Sequence, residues 1–263
     1  MGLTLALWQG EGVAGDLPAT VAALSGIARE ATEKGAALLV FPEGYLTGYH
    51  IPGLAVGDLA GVEDALTEIG RIAAQTGLSI VVGTHLDMPE GLRNAAVVFS
   101  GTGAEIGRYH KRALYGAWEK ATFRPGDSPL RFACGDLTVG VAICYDVEFP
   151  ELIRAEALAG VDLVLVPTAL MAPHHRVAQQ LVPVRAMENQ IFLAYCNRTG
   201  REFGRDGALD FVGLSSIRGP EGEMLAEAGT APELLLATLE AAGLSAARDA
   251  FSYLDDLAGL RLP

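Results

Sequence analysis

The chain has 263 residues, 50% of them hydrophobic, with 32 acidic against 19 basic side chains and a formal charge of −13. Such a length and apolar content suit one α/β domain with a large core, and an acidic chain without a Lys/Arg cluster argues against nucleic acid or an anionic membrane as partner. Three cysteines, Cys134, Cys144 and Cys196, show neither CxxC nor Cys/His ligand spacing, which argues against a disulfide framework and a metal site and fits a reducing cytoplasm.

The amino terminus lacks a basic n-region, and no run approaches the roughly 18 apolar residues that span a bilayer, so no targeting or membrane segment is expected. Leu3 to Trp8 reads as a short strand. Asp16 then suits an N-cap with Pro18 in the first turn, and Val21, Leu24, Ile27, Ala28 and Ala31 recur at helical spacing as far as Lys34 and Gly35. Ala36 to Phe41 is apolar on both faces, as in a buried strand, and delivers Glu43 into a turn-rich loop. Val62 to Thr76 is a helix closed by Gly77, followed by strands at Leu78 to Thr84 and Asn94 to Phe99. The stretch from Gly107 to Asp127, with Lys111, Trp118 and Glu119, holds too much turn chemistry for one helix.

Arg131 to Ala133 and Leu137 to Ile143 form a predicted hairpin that ends at Cys144. There the period changes, and Pro150 suits a first helical position, so the pattern reads strand, cysteine, helix. A thiol on that corner lies near a helix amino terminus, which favours thiolate, yet a free cysteine is mostly protonated at neutral pH and needs a base. Glu151 to Ala159 is a helix, Val161 to Val166 a strand, Arg176 to Asn189 a helix interrupted near Pro183, and Ile191 to Cys196 a strand. Gly213 to Arg218 pairs with Met224 to Ala228, and Glu233 to Glu240 is the last strand. Residues 245–263 form an apolar tail expected to pack on a partner subunit or on the core of the single domain, 1–263.

Two halves with the same rough order of elements favour an α/β fold of two mixed β-sheets face to face with outer helices, a four-layer α-β-β-α sandwich, with a doubly wound single sheet as the alternative. Singly, Glu43, Lys111 and Glu119 read as solvated charges. Together they supply what acyl transfer by Cys144 requires: Glu43 as a base, Lys111 and the Tyr145 backbone N–H as donors to an oxyanion, and Glu119 to hold Lys111 or steer water. His174 and His175 read as loop histidines, Cys134 and Cys196 as small core residues, and Asp146 as a side chain that orders the elbow after the cysteine.

Phe41-Pro42-Glu43-Gly44 with Tyr45 to Tyr49, Tyr109-His110-Lys111-Arg112-x-Leu114 with Glu119, and Val141 to Glu151 around Cys144 resemble, in order, the three signatures of the nitrilase superfamily of carbon–nitrogen hydrolases. The likeness runs from Ala6 to about Gly222 and includes Asn197-Arg198 and Phe211-x-Gly-x-Ser215. It implies the sandwich, a Glu43-Lys111-Cys144 triad with Glu119 as second acid, no metal or organic cofactor, and a homodimer or larger homo-oligomer. Cys144-Tyr-Asp-Val-Glu-Phe-Pro150-Glu151 looks like the amidase branches, so the expected reaction is hydrolysis of a small primary amide by a thioester route. A nitrilase or an N-carbamoyl or ω-amide hydrolase is the alternative, and a non-catalytic scaffold a remote one. Tyr49, Trp118, Thr168, Ala169, Leu170 and Met171 are expected to contact the small-molecule substrate, and Arg176 or Arg198 to clamp a carboxylate if one is present.

Overall fold

Two runs of alternating strand and helix fold against each other. The first comprises β1 (Leu3–Gln9), α1 (Leu17–Glu33), β2 (Leu38–Val40), α2 (Val62–Thr76), β3 (Ser79–Leu86), β4 (Arg93–Phe99), β5 (Glu105–His110) and the short α3 (Gly116–Thr122). In the second, β6 (Arg131–Cys134), β7 (Leu137–Val141), α4 (Pro150–Leu158), β8 (Leu163–Thr168), α5 (Val182–Asn189) and β9 (Phe192–Asn197) lead to a hairpin of β10 (Arg201–Gly204) and β11 (Gly207–Asp210). β12 (Ser216–Arg218), β13 (Met224–Glu227), β14 (Glu233–Leu239), α6 (Ala241–Ala250) and α7 (Tyr253–Gly259) complete the chain. The computed structural model describes residues 2–204 and 207–260.

The strands form two mixed six-stranded sheets, ordered β14-β1-β2-β3-β4-β5 and β13-β12-β9-β8-β7-β6. Parallel β1, β2 and β3 are flanked by antiparallel β14, β4 and β5, and parallel β7, β8 and β9 are flanked by antiparallel β6, β12 and β13. Both halves therefore share one layout, which rules out a doubly wound single sheet. Alternation along each strand builds the layers. Leu3, Leu5 and Leu7 face Leu163, Leu165 and Ala194 between the sheets. Ala6, Ile80 and Val82 pack outward on Leu24 of α1 and Ile69 of α2, while Val164 and Val166 pack outward on Ile153 of α4 and Val182 of α5.

Local chemistry explains the element ends. The Asp16 carboxylate caps α1 by accepting from the Ala19 N–H at 2.9 Å, with Pro18 in the first turn. The helix expected over Arg176 to Asn189 begins instead as a wide π turn over Val177–Leu181. Pro183 cannot donate to the carbonyl four residues back and its ring would collide with it, so the chain widens there before α5 begins. Between Gly107 and Asp127 the turn residues separate two short elements, β5 and α3. β12 is shorter than expected, because Gly213 and Leu214 take left-handed φ values of 64° and 60°. The hairpin β10–β11 had no sequence signal beyond polar residues.

From residue 245 onward the described chain lies mostly in α6 and α7, while 261–263 lie outside the described residues. Leu244 and Ala247 of α6 are buried, and Gln190 Nε2 donates to the carbonyls of Ala247 at 2.7 Å and Phe251 at 2.6 Å. Phe251 and Tyr253 are exposed and stacked, with ring centroids 5.5 Å apart.

Candidate active site

Glu43 leaves the carboxyl end of β2 and is completely buried. The turn that carries it presses on β3: a Cβ on Gly83 would stand 2.1 Å from the Pro42 carbonyl oxygen and 2.7 Å from Glu43 Cα. Only glycine admits that approach. Glu43 Oε1 accepts from Asn94 Nδ2 on β4 at 2.7 Å and from Lys111 Nζ at 2.8 Å, whereas Oε2 is buried with no hydrogen-bond partner. Lys111 follows β5 and is fixed by its backbone N–H, which donates to the Asn94 carbonyl at 2.8 Å. Its Nζ also reaches Glu119 Oε1 of α3 at 2.7 Å.

Glu119 is held in turn. Its Oε1 accepts from the Tyr49 hydroxyl at 2.9 Å and its Oε2 from the Tyr115 backbone N–H at 2.6 Å. One ammonium thus serves two buried carboxylates, so the cluster cannot be neutral with all three groups ionised. Burial pushes the Glu43 carboxyl up, outweighing the pull of Lys111, while Glu119 adds to the rise. Burial alone would lower the Lys111 ammonium, but Glu43, Glu119 and Cys144 together hold it well above its ordinary value. Lys111 is therefore held as a cation, and Glu43 is a buried acid whose pKa is raised.

Cys144 follows β7 at the carboxyl end of the facing sheet and takes a left-handed φ of 45°, a strained conformation for a residue with a Cβ. Asp146 enforces it. One carboxylate oxygen accepts from Ile143 N at 2.9 Å and from Tyr109 Oη at 2.8 Å, and the other from Ala113 N at 2.6 Å and Arg112 N at 3.2 Å. The same side chain thereby ties the elbow to the segment that follows Lys111. Asp146→Ala is expected to lower unfolding free energy by about 3 kcal/mol, because several buried donors lose their acceptor; urea denaturation measures it.

The thiol is not activated by a helix terminus as the sequence suggested. A 3₁₀ turn over Cys144–Glu148 separates it from α4, which begins at Pro150. Burial pushes the Cys144 thiol well up and Glu43 adds to this, against the weaker pull of Lys111 and of a hydrogen bond from the Ala169 backbone. The resting group is therefore the thiol, and nucleophilic chemistry there needs a base in the site.

A cavity of about 220 Å³ opens beside Cys144. Tyr49, Ala169, Leu170 and Met171 line it as the sequence suggested, with Tyr145 next to the cysteine. Tyr115, Glu148 and His174 also line it and were not foreseen as substrate contacts. Trp118 lines an adjoining cavity of about 250 Å³ that shares Tyr49, Tyr115 and Met171. Thr168 is completely buried and bonds its own strand through the Val166 carbonyl at 2.9 Å. Arg176 is exposed and lines neither cavity, which removes the structural ground for the carboxylate clamp placed on it. Arg198 is buried but committed: it donates to the carbonyls of Glu43 at 3.3 Å and Gly44 at 2.8 Å, and pairs with Glu202. Glu202 also accepts from the backbone N–H groups of Tyr49 and His50, so this pair pins the loop between Glu43 and Tyr49. Asn94 and Glu202 lacked any sequence signal, since both act from strands whose pairing only the fold reveals.

Two facing mixed sheets that bring a carboxylate–ammonium–carboxylate cluster and a cysteine to one end define a hydrolase sandwich of the nitrilase class. The chain matches the carbon–nitrogen hydrolase family over residues 4–249 and belongs to it. It is 37% identical over 246 residues to a protein of Pseudomonas protegens described as a hydrolase in the pqqF 5' region, covering 92% of this chain and 84% of that one. A nitrilase of Pyrococcus abyssi is 36% identical over 210 residues, covering 78% and 77%. Among solved structures the NitN amidase of Nesterenkonia sp. AN1 superposes with a TM-score of 0.86 at 36% identity, covering 97% of this chain and 96% of that one. Other structures of that amidase carry butyramide, or the acetamide moiety of fluoroacetamide joined to the active-site cysteine.

Proposed function

We propose that this chain hydrolyses small primary amides to carboxylic acid and ammonia through a thioester on Cys144. The observation that carries this reading is the Lys111 ammonium bridging Glu43 and Glu119 while Glu43 Oε2 stays free, in a site whose cysteine rests as the thiol. Glu43 takes the thiol proton as sulfur attacks the amide carbon. Lys111 Nζ and the Tyr145 backbone N–H stabilise the tetrahedral oxyanion, a role in which one donor is typically worth about 3 kcal/mol. Glu43 returns the proton to the nitrogen, the C–N bond breaks, and ammonia leaves. Water then gives a proton to Glu43 and attacks the thioester; collapse returns the thiol and releases the acid. Glu119, held by Tyr49 and the Tyr115 N–H, keeps Lys111 aimed.

The size of the cavity supports a short acyl group, and the Nesterenkonia amidase supports amide over nitrile, whereas the Pyrococcus nitrilase of equal identity keeps the nitrile reading in play. The test is ammonia release from primary amides, the matching nitriles and N-carbamoyl amino acids, with the intact protein's mass recorded after rapid acid quench. Amides are expected to lead in kcat/KM by more than about tenfold, with an acyl adduct on Cys144. Faster turnover of nitriles or carbamoyl compounds would overturn the choice of substrate class.

A further inference from the structure

Glu148 is an acid of the Cys144 cavity that the proposed reaction does not use. It ends the 3₁₀ turn that begins at Cys144, and its half-buried side chain lines the same cavity. Among the described residues none forms a salt bridge or hydrogen bond with its carboxylate. The two strong cations that act on it are engaged elsewhere: Lys111 holds Glu43 at 2.8 Å and Glu119 at 2.7 Å, and Arg185 donates to the backbone carbonyls of Val147 at 2.9 Å and Glu148 at 3.0 Å and pairs with Glu188 at 2.8 Å. His174, which lines the same cavity, contacts the Tyr115 hydroxyl through Nε2 at 3.3 Å. Among the described residues no lysine or arginine lines the cavity. Burial pushes the Glu148 carboxyl up, against His174, Lys111 and Arg185, as befits a group that lacks a close counter-charge.

We propose that Glu148 sets substrate specificity: the site takes amides whose acyl chain ends in an ammonium, seated on the Glu148 carboxylate with the amide carbon at Cys144, and turns away amides that end in a carboxylate. This rests on the reading of Cys144 as nucleophile. A 3₁₀ turn rises about 2 Å per residue, so the two residues stand roughly 8 Å apart along it, about the reach of a four- or five-carbon ω-amino amide. The ammonium gains a partner that the free protein does not supply, whereas a substrate carboxylate meets a like charge in a partly desolvated cavity.

Two measurements separate this specificity from the reaction itself. The first is the rate of Cys144 modification, located by peptide mass, with cationic, neutral and anionic methanethiosulfonates, each normalised to its rate with a small free thiol. The cationic-to-anionic ratio is expected to exceed about tenfold in the native protein and to fall about tenfold in Glu148→Gln. Because the carboxylate makes no internal bond, that substitution leaves the fold intact, which circular dichroism checks. The second is kcat/KM for δ-aminovaleramide, valeramide and glutaramate, expected in that descending order, with Glu148→Gln raising KM for the amino amide far more than it lowers kcat. An unchanged thiol ratio in Glu148→Gln, a preference for the anionic reagent, or glutaramate as the best substrate overturns the proposal. If no amide is hydrolysed, the proposed reaction fails while the thiol ratio still decides the role of Glu148; a Cys144 inert to all three reagents overturns both.

Discussion

Glu43→Gln is expected to lower kcat/KM for amides by a factor on the order of 10³ while leaving the protein folded. Glutamine can keep its oxygen where Oε1 now accepts from Asn94 and Lys111, and place its amide nitrogen where Oε2 stands free. The cluster then loses only the ability to move a proton. The wild-type pH profile carries the complementary signature. In the proposed reaction the active form has Glu43 deprotonated, and burial raises its pKa, so the acid limb of kcat/KM is expected above the ordinary carboxylate value of 4.5. His85 cannot supply that limb, because burial lowers its pKa to about 3 and it stays neutral throughout.

Stability follows from the same shift. A carboxyl with a raised folded pKa binds more protons folded than unfolded between the two values, so its contribution falls as pH rises through that window. Glu43→Gln removes this dependence, and its thermal midpoint near neutral pH is expected to equal or exceed that of the wild type. Steady-state kinetics and a pH series of thermal melts check both statements; a variant within tenfold of wild-type kcat/KM would mean that another group takes the thiol proton.

The residues to which the proposal gives chemical roles were legible because they sit where strand patterns stop. Ala36 to Phe41 and Leu137 to Ile143 are apolar on both faces, and the first polar or reactive groups after them, Glu43 and Cys144, emerge at the carboxyl ends of facing sheets. Lys111 and Glu119 were legible only as a pair beside these. What holds the cluster was not legible. Asn94 lies within a strand, and that its amide reaches Glu43 depends on the β3–β4 register and on Gly83 admitting the Glu43 turn. Tyr49 read only as a substrate contact, yet its hydroxyl bonds Glu119, a contact made across 70 residues of chain. Arg176 read as a clamp for a substrate carboxylate, but it stands in solvent just before the π turn. Side chains aimed by neighbouring strands or by a local widening of a helix carry no periodic signal.

Lys111→Met is expected to remove both activity and stability, and the two losses have different causes. Methionine fills much of the same volume but leaves Glu43 and Glu119, both completely buried, without their shared cation. Breaking a buried pair from one side costs about 3–5 kcal/mol, because the remaining charge is stranded. The deficit has a definite sign with pH: without the ammonium a buried carboxyl is pushed further up, so the variant regains stability in acid, where a proton replaces the cation, and loses it toward alkaline pH. Loss of the oxyanion donor should lower kcat by a further 10²- to 10³-fold, roughly. Adding Glu119→Gln separates the effects. The double variant has one stranded carboxylate fewer and should recover a large part of the lost stability, whereas kcat should not recover, since nothing replaces the cation at the carbonyl oxygen. Urea titrations at several pH values and single-turnover assays on the wild type and both variants read this out. Recovery of activity along with stability would mean that Lys111 serves only to balance buried charge.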